Sequence, residues 1–377
     1  MMMDHQINNI ICLRPFYSLK VFLKGDVYVC CPAWPRGKVG NLKKKTLIEI
    51  WNDKPIQYMR MMMLEGRWKK ICRPSCPVIF NYRIKKENIY LDNLKLHAIT
   101  REIISEIKSK KIKLVTKPTC LDFDNSMVCN INCIMCGREY FKDNTTLDNR
   151  ALVGKAMEEV KELLPHLREI LLTGYGDPFA RPDTREFLLN LDPSLYPELK
   201  INLLTNGLLL PKYWDKIKHL NFGFIDVSVD AATKETYEKI RRGGRWEDLL
   251  KAFDIIKINK DRFFDTRINM TVMRENYREI SLFVELAYKY GFSAEISRIW
   301  GKYGTQNIFT SSDKRLFEDL RSVIKEAIDK ARFLNVPFIE YAQPFIEMPW
   351  HQRYYQKSYD DISHTYHRVK SFFKNIV

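Results

Sequence analysis

The chain has 377 residues, 62 Lys plus Arg against 46 Asp plus Glu, a formal charge of +16 and nine cysteines. A hydrophobic share of 45% with 29% charged residues marks a globular protein and excludes a disordered or fibrous one. No apolar run approaches the roughly 18 residues of a membrane span, and the opening MMMDHQINNI lacks the basic-then-apolar layout of a secretion signal. The expected compartment is the cytoplasm, with no membrane partner.

A basic balance raises the question of nucleic acid. Lysine is spread along the chain, and the densest clusters (Lys43–Lys45, Arg83–Lys86 and Lys108–Lys113) read as solvated faces. Nucleic acid is therefore not an expected partner. The cysteines carry more. They stand at positions 12, 30, 31, 72, 76, 120, 129, 133 and 136. Without an export signal their thiols stay reduced, so clustering points to metal rather than disulfides. The two groups, 12–76 and 120–136, suggest two sites.

In chain order, residues 1–85 form a cysteine-rich module of short extended pieces, a turn at Lys24-Gly25-Asp26 and a helical run at Thr46–Leu64. A linker over 86–115 contains the helix-like stretch Asn93–Lys110. From residue 116 the pattern changes. Strands are expected at Lys117–Phe123, Glu169–Thr173, Lys200–Thr205, Phe224–Val229, Thr266–Met273 and Ala294–Trp300. Helical periodicity at Val153–Leu167, Lys234–Ile258 and Asn276–Tyr290 fills the intervals. Such alternation argues for parallel βαβ units over 116–305, as a barrel or an open sheet, with chemistry at the carboxyl ends of the strands. The remainder, 306–377, reads as a helical region and a tail rich in Tyr, His and Lys, with no role assigned.

Directly after the first of these strands comes CNINCIMC, which places Cys129, Cys133 and Cys136 in a C-x3-C-x2-C arrangement. Three thiolates can hold three irons of a [4Fe–4S] cube and leave the fourth open to another ligand. A closed zinc site wants four ligands, and no fourth Cys or His follows nearby. The cluster reading is preferred. Cys120, within the strand, reads as a small buried hydrophobe.

CNINCIMC resembles the signature of the radical S-adenosylmethionine (SAM) superfamily. The resemblance covers about 115–300 and implies a partial (β/α)6 TIM-like barrel. It also implies an open iron chelated by SAM, and reductive SAM cleavage to a 5′-deoxyadenosyl radical that abstracts hydrogen from substrate. TGYGDP (Thr173–Pro178) is similar to the family's glycine-rich motif that meets the SAM amino group, through Gly174, Gly176 and Asp177, with Asp where Glu is common. Thr205-Asn206-Gly207 follows the third strand. Ser228 and Asp230, in DVSVD, resemble positions near the SAM ribose or the substrate. Arg241 resembles an arginine that pairs the SAM carboxylate, and Met135 stands beside the adenine position.

The N-terminal cysteines occur as two distant pairs, the pattern of a small module knitted around a four-ligand centre of iron–sulfur or zinc. CLRPFYSLKVFLKGDVYVCCPAW with GNL, IEIW and CRPSCP resembles the SPASM auxiliary-cluster module, placed here ahead of the barrel. The resemblance implies a second [4Fe–4S] cluster on Cys12, Cys30, Cys72 and Cys76. Cys31 is the alternative to Cys30. The expectation is a radical SAM enzyme modifying a peptide or protein residue, with the auxiliary cluster passing electrons and flavodoxin or ferredoxin as donor. A radical SAM dehydrogenase of a small sugar or cyclitol, and a SAM-binding electron-transfer or regulatory protein without turnover, are the alternatives.

Overall fold

A computed structural model describes residues 12–74, 76, 78–79, 97–136, 147–172, 175–299, 306–311 and 313–340. The basic stretch at Arg83–Lys86, the start of the helix-like stretch at Asn93, Gly174 and the tail beyond 340 lie outside the described residues. The chain folds as two compact units. One comprises Met1–Asn130, Gly137–Ile225 and Asp261–Phe264; the other comprises Ile131–Cys136, Asp226–Lys260 and Asp265–Val377.

In the first unit, β1 (Ser18–Phe22) runs parallel to β4 (Cys120–Asp124), with Ser18 opposite Cys120 and Phe22 opposite Asp124. Two short antiparallel strands, β2 (Asp26–Tyr28) and β3 (Gly40–Asn41), extend the β1 side. On the other side β6 (Glu169–Leu172) and β7 (Lys200–Thr205) continue the parallel ladder. The strands alternate by side chain, as the pleat requires. Leu19, Val21, Leu121, Phe123, Ile170, Leu172, Ile201 and Leu203 are buried on one face. Lys20, Asp122, Asp124, Glu169 and Asn202 occupy the other positions of the same strands. Parallel strands covered by helices on both faces are usually apolar throughout. Here the second face is mixed, with Phe22, Cys120, Leu171 and Leu204 beside these polar residues, and carries more charge than a face closed by a helix usually does.

The N-terminal helical run is two helices, Leu47–Trp51 and Lys54–Leu64, because Asn52-Asp53 ends one and caps the next and Pro55 occupies its first turn. Thr46 and Glu49 form a reciprocal capping box on the first. Arg60 is fully buried. Its guanidinium donates to the carbonyls of Pro15 (2.9 Å), Trp51 (2.8 Å) and Ile112 (2.9 Å) and lies 4.3 Å from the Trp51 ring centre. In the linker, the described helix is Arg101–Lys108, capped by Thr100.

In the second unit, the end of β8 (Phe222–Ser228) lies beside β10 (Asp265–Val272), followed by β11 (Ser293–Arg298) and β12 (Phe338–Glu340), parallel from β10 onward. Helices Trp246–Ile258 and Ile280–Tyr290 bury Leu249, Phe253, Phe283 and Val284. The helix expected over Lys234–Ile258 is broken. Lys234–Ile240 stops at Arg241–Arg242, which form the short strand β9, and Gly243 turns the chain at φ +90 before the second helix. β9 pairs antiparallel with β5 (Asn132–Cys133). No helix among the described residues is long and apolar enough to cross a membrane.

Candidate functional site

Every cysteine is a free thiol. Cys129 lies in the first unit, five residues beyond the end of β4. The loop after β6 packs on the backbone just before it. Asp177 N–H donates to the Val128 carbonyl (2.9 Å), and a Cβ on Gly176 would stand 2.2 Å from that same oxygen. Only glycine fits there, and its φ of +85 makes the same demand. Gly174 lies outside the described residues.

Asp177 is 1% exposed, and both its oxygens are engaged within the protein. Oδ1 accepts from Phe179 N–H (2.9 Å); Oδ2 accepts from Thr205 Oγ1 (2.7 Å) and Asn206 N–H (2.9 Å). Burial pushes its carboxyl up, against these bonds. The carboxylate thus joins the loop after β6 to the turn after β7. That turn brings in Asn206. Its Nδ2 donates to Asn130 Oδ1 (2.8 Å) and reaches Cys129 Sγ at 3.5 Å. In the sequence Thr205-Asn206-Gly207 is visible only as the segment that follows the third strand, and that position is the available signal.

Cys133 and Cys136 lie in the second unit. Cys133 is opposite Arg241 in the β5–β9 pair, Ile134 N–H donates to the Ile240 carbonyl (2.9 Å), and Cys136 N–H closes a turn on the Cys133 carbonyl (3.1 Å). Met135 is half-buried between them. The Arg241 guanidinium pairs with Asp230 at 2.5 Å. Burial opposes the charge on Arg241, but Asp230 and the Cys133 thiol outweigh it and push its pKa up. Asp230 is fully buried at φ +62; its Oδ1 accepts from Thr271 N–H (2.6 Å) and its carbonyl from Asn276 Nδ2 (2.8 Å). Asp230 and Arg241, expected to face SAM separately, are thus bonded to each other. Ser228 Oγ accepts from Asn269 Nδ2 (3.2 Å), which also donates to Asp226 (2.6 Å).

The first unit also gathers the N-terminal thiols. Burial pushes the Cys30 thiol well up, and Cys12, Cys76 and Cys72 add to this while Arg14 opposes it. Cys72 is raised by burial, then by Cys12 and Cys76. The set is held by main-chain bonds: Arg73 N–H to Trp34 O (3.0 Å), Trp34 N–H to Cys31 O (3.1 Å) and Cys76 N–H to Arg73 O (3.1 Å). Four free thiols in one unit are the donor set that an iron–sulfur centre takes. Among the described residues, no three His, Cys, Asp or Glu side chains stand close enough to share one metal ion. Cys31 is exposed, and its charged neighbours are Lys20, Asp124, Asp122 and Cys76. Lys20 is 6% exposed and pairs with Asp124 and, at 3.8 Å, with Asp122. The sequence reading had not singled out these three residues. A lysine inside an otherwise apolar strand, SLKVF, was the signal.

Comparison with known proteins bears on both cysteine groups. The radical SAM superfamily matches residues 126–287, and an iron–sulfur cluster-binding domain, SPASM, matches residues 12–77. The mycofactocin maturase MftC of Mycolicibacterium smegmatis is 23% identical over 184 residues, 48% of this chain and 45% of the relative. A probable GTP 3′,8-cyclase of Methanococcus maripaludis is 32% identical over 127 residues, 33% of this chain and 41% of the relative. The solved structure of Streptococcus suis SuiB bound to S-adenosylmethionine aligns with a TM-score of 0.44 at 15% identity, over 70% of this chain and 62% of SuiB. The chain spans less than two thirds of each of these proteins. A radical SAM domain over residues 126–287 is thus preceded by a SPASM iron–sulfur cluster-binding domain at residues 12–77.

Proposed function

We propose that the chain is an enzyme that cleaves SAM reductively at Cys129, Cys133 and Cys136 and abstracts hydrogen from a residue of a peptide or protein. The radical SAM domain implies a SAM-binding [4Fe–4S] cluster, and the SPASM domain an auxiliary one. When bound, the cluster and SAM supply a 5′-deoxyadenosyl radical. The observation that carries the reading is the loop CNINCIMC at the carboxyl end of β4, with Gly176, Asp177 and Asn206 locked behind Cys129.

The rest is work for this chain's own residues. Cys129, Cys133 and Cys136 would hold the SAM-binding cluster, and Cys12, Cys30, Cys72 and Cys76 the auxiliary one. Met135, Gly174, Gly176, Asp177, Ser228, Asp230 and Arg241 are proposed around SAM. The bonds of three of them support an indirect part. Asp177 fixes the turn that carries Asn206, while Asp230 holds Arg241 against the strand of Cys133. The polar strand positions Lys20, Asp122 and Asp124 suit a face that meets substrate.

A maturase among the relatives supports the peptide reading, and a GTP cyclase among them supports a small-molecule substrate as the second reading. Flavodoxin or ferredoxin is the proposed electron donor; a formal charge of +16 favours encounter with such an acidic carrier. Anaerobically reconstituted, reduced protein should form 5′-deoxyadenosine from SAM, and Cys133→Ala should abolish this. Unchanged product in Cys133→Ala would refute the assignment. Peptide and small-metabolite fractions from deuterated cells, offered separately, distinguish the substrate classes by which one transfers deuterium into 5′-deoxyadenosine.

A further inference from the structure

We infer that Asn206 is a hydrogen-bond donor to the SAM-binding cluster and raises its reduction potential, with Asp177 as the residue that positions it. The inference rests on the proposed placement of that cluster on Cys129, Cys133 and Cys136.

The orientation of the Asn206 amide is settled by its partners. Its Oδ1 accepts from Leu208 N–H (3.0 Å), and its Nδ2 donates to Asn130 Oδ1 (2.8 Å), so the edge nearest Cys129 Sγ, at 3.5 Å, is the N–H edge. Asn206 as a whole is 5% exposed, which leaves water little access as a substitute donor. Its main chain is fixed by the bond from Asn206 N–H to Asp177 Oδ2 (2.9 Å), and Thr205 Oγ1 donates to the same oxygen (2.7 Å). Asp177 in turn is seated by Phe179 N–H on Oδ1 (2.9 Å). A donor reaching a ligating sulfur through so many fixed bonds is preorganised, and needs no rearrangement when the charge on the sulfur changes.

Hydrogen bonds to cluster sulfurs stabilise the more negative, reduced state and so raise the potential. A cysteine loop with no such donor would hold a cluster that is harder to reduce. Asn206 thereby helps decide which electron donor can serve the protein. Asp177 reaches this sulfur through Asn206, so its loss should lower the potential less than loss of the amide itself.

The test is potentiometric EPR on reconstituted full-length protein, following only the reduced signal that changes on adding SAM, so that the auxiliary centre is not counted. Asn206→Leu removes the donor at similar volume. At the wild-type midpoint its ratio of reduced to oxidised cluster should fall about tenfold, equivalent to about 59 mV for one electron. Asn206→Asp keeps shape and the acceptor for Leu208 but replaces the donor with a carboxylate, and should fall further. Asp177→Ala should fall in the same direction by less, and Asp177→Asn, which retains an acceptor oxygen for Asn206 N–H, should recover part of the loss.

Should Asn206→Leu fail to hold iron, Asn206→Asp and a spectroscopic measurement decide. Wild-type protein carrying amide-15N asparagine should show a weakly coupled nitrogen in pulsed EPR of the reduced cluster, and Asn206→Asp should lose that coupling. Unchanged or raised midpoints in iron-replete variants, or nitrogen couplings identical in wild type and Asn206→Asp, overturn the inference. Failure of the underlying reading looks different: the SAM-responsive signal would survive in Cys133→Ala.

Discussion

Gly176 is where a single added methyl group would do most harm to the proposed SAM site. A Cβ there meets the Val128 carbonyl oxygen at 2.2 Å and the Ser126 carbonyl oxygen at 3.1 Å, and both are main-chain atoms that no rotamer change can move. The φ of +85 adds strain of about 1–3 kcal/mol for any other residue. Gly176→Ala should therefore displace the backbone at Val128, adjoining Cys129, and iron analysis should show loss from this loop together with loss of 5′-deoxyadenosine formation. Gly154→Ala is the control. Nothing lies within 4 Å of its Cβ, and it sits in the helix Leu147–Leu163, where alanine should stabilise by about 0.5–1 kcal/mol. Asp226 offers a different residue-scale test. Burial pushes its carboxyl well up, the neighbouring Glu295 adds to this, and Arg267 opposes it. With a folded pKa above the unfolded value, the folded state keeps the proton while the unfolded chain releases it, so stability falls as pH rises above about 4. Asp226→Asn removes that slope. Thermal melts should show the variant gaining on the wild type from about pH 4 upward and matching it below; an equal difference at every pH would refute the buried-carboxyl account.

At the scale of elements, the six strands expected from residue 116 onward all occur within a few residues of their expected bounds, because alternation and β-branched content are local properties. Helix breaks were harder to see. Asn52-Asp53 and the pair Gly243-Gly244 interrupt continuous apolar periodicity, and periodicity is insensitive to a turn that preserves phase. The partner of β1 was not legible at all. Ser18–Phe22 pairs with a strand about a hundred residues later, and nothing local specifies a parallel partner that distant. The same limit hid Asn206: its neighbour in sequence is a turn, while its neighbours in space are Asp177 and Cys129. Arg60 shows how the N-terminal helices are tied to the linker. Its guanidinium serves the carbonyls of Pro15, Trp51 and Ile112, while Trp51 Nε1 donates to the Thr116 carbonyl (2.6 Å) and Asn52 Nδ2 to that of Leu114 (2.7 Å). Arg60→Met would fill the space and leave those carbonyls unserved. Its cost should be about 1–3 kcal/mol for each carbonyl left buried without a donor. Urea unfolding should show this as a lower midpoint at unchanged slope. A loss below 1 kcal/mol would mean that water satisfies the carbonyls instead.

For the whole molecule, the position of the SPASM domain ahead of the radical SAM domain does not make it an appendage: β1, from within residues 12–77, is a strand of the same ladder as β4. Cys12, Cys30, Cys72 and Cys76, four of its five thiols, belong to the unit that holds β1 to β4. If they hold a cluster of their own, four thiolates saturate its irons and leave none for SAM. Protein with Ala at 129, 133 and 136 should then retain about four irons and four sulfides per chain, with a spectrum indifferent to SAM. The pair Cys30 and Cys31 sharpens the test. Cys30 feels Cys12, Cys76 and Cys72, whereas the charged neighbours of Cys31 begin with Lys20. In that triple-Ala background, Cys30→Ala should lose the remaining iron and Cys31→Ala should keep it. The reverse pattern would make Cys31 the ligand, and zinc in place of iron would make the domain a clasp with no part in electron transfer. If the cluster does carry electrons away after hydrogen abstraction, Cys72→Ala in the otherwise intact protein should still form 5′-deoxyadenosine while substrate conversion stops.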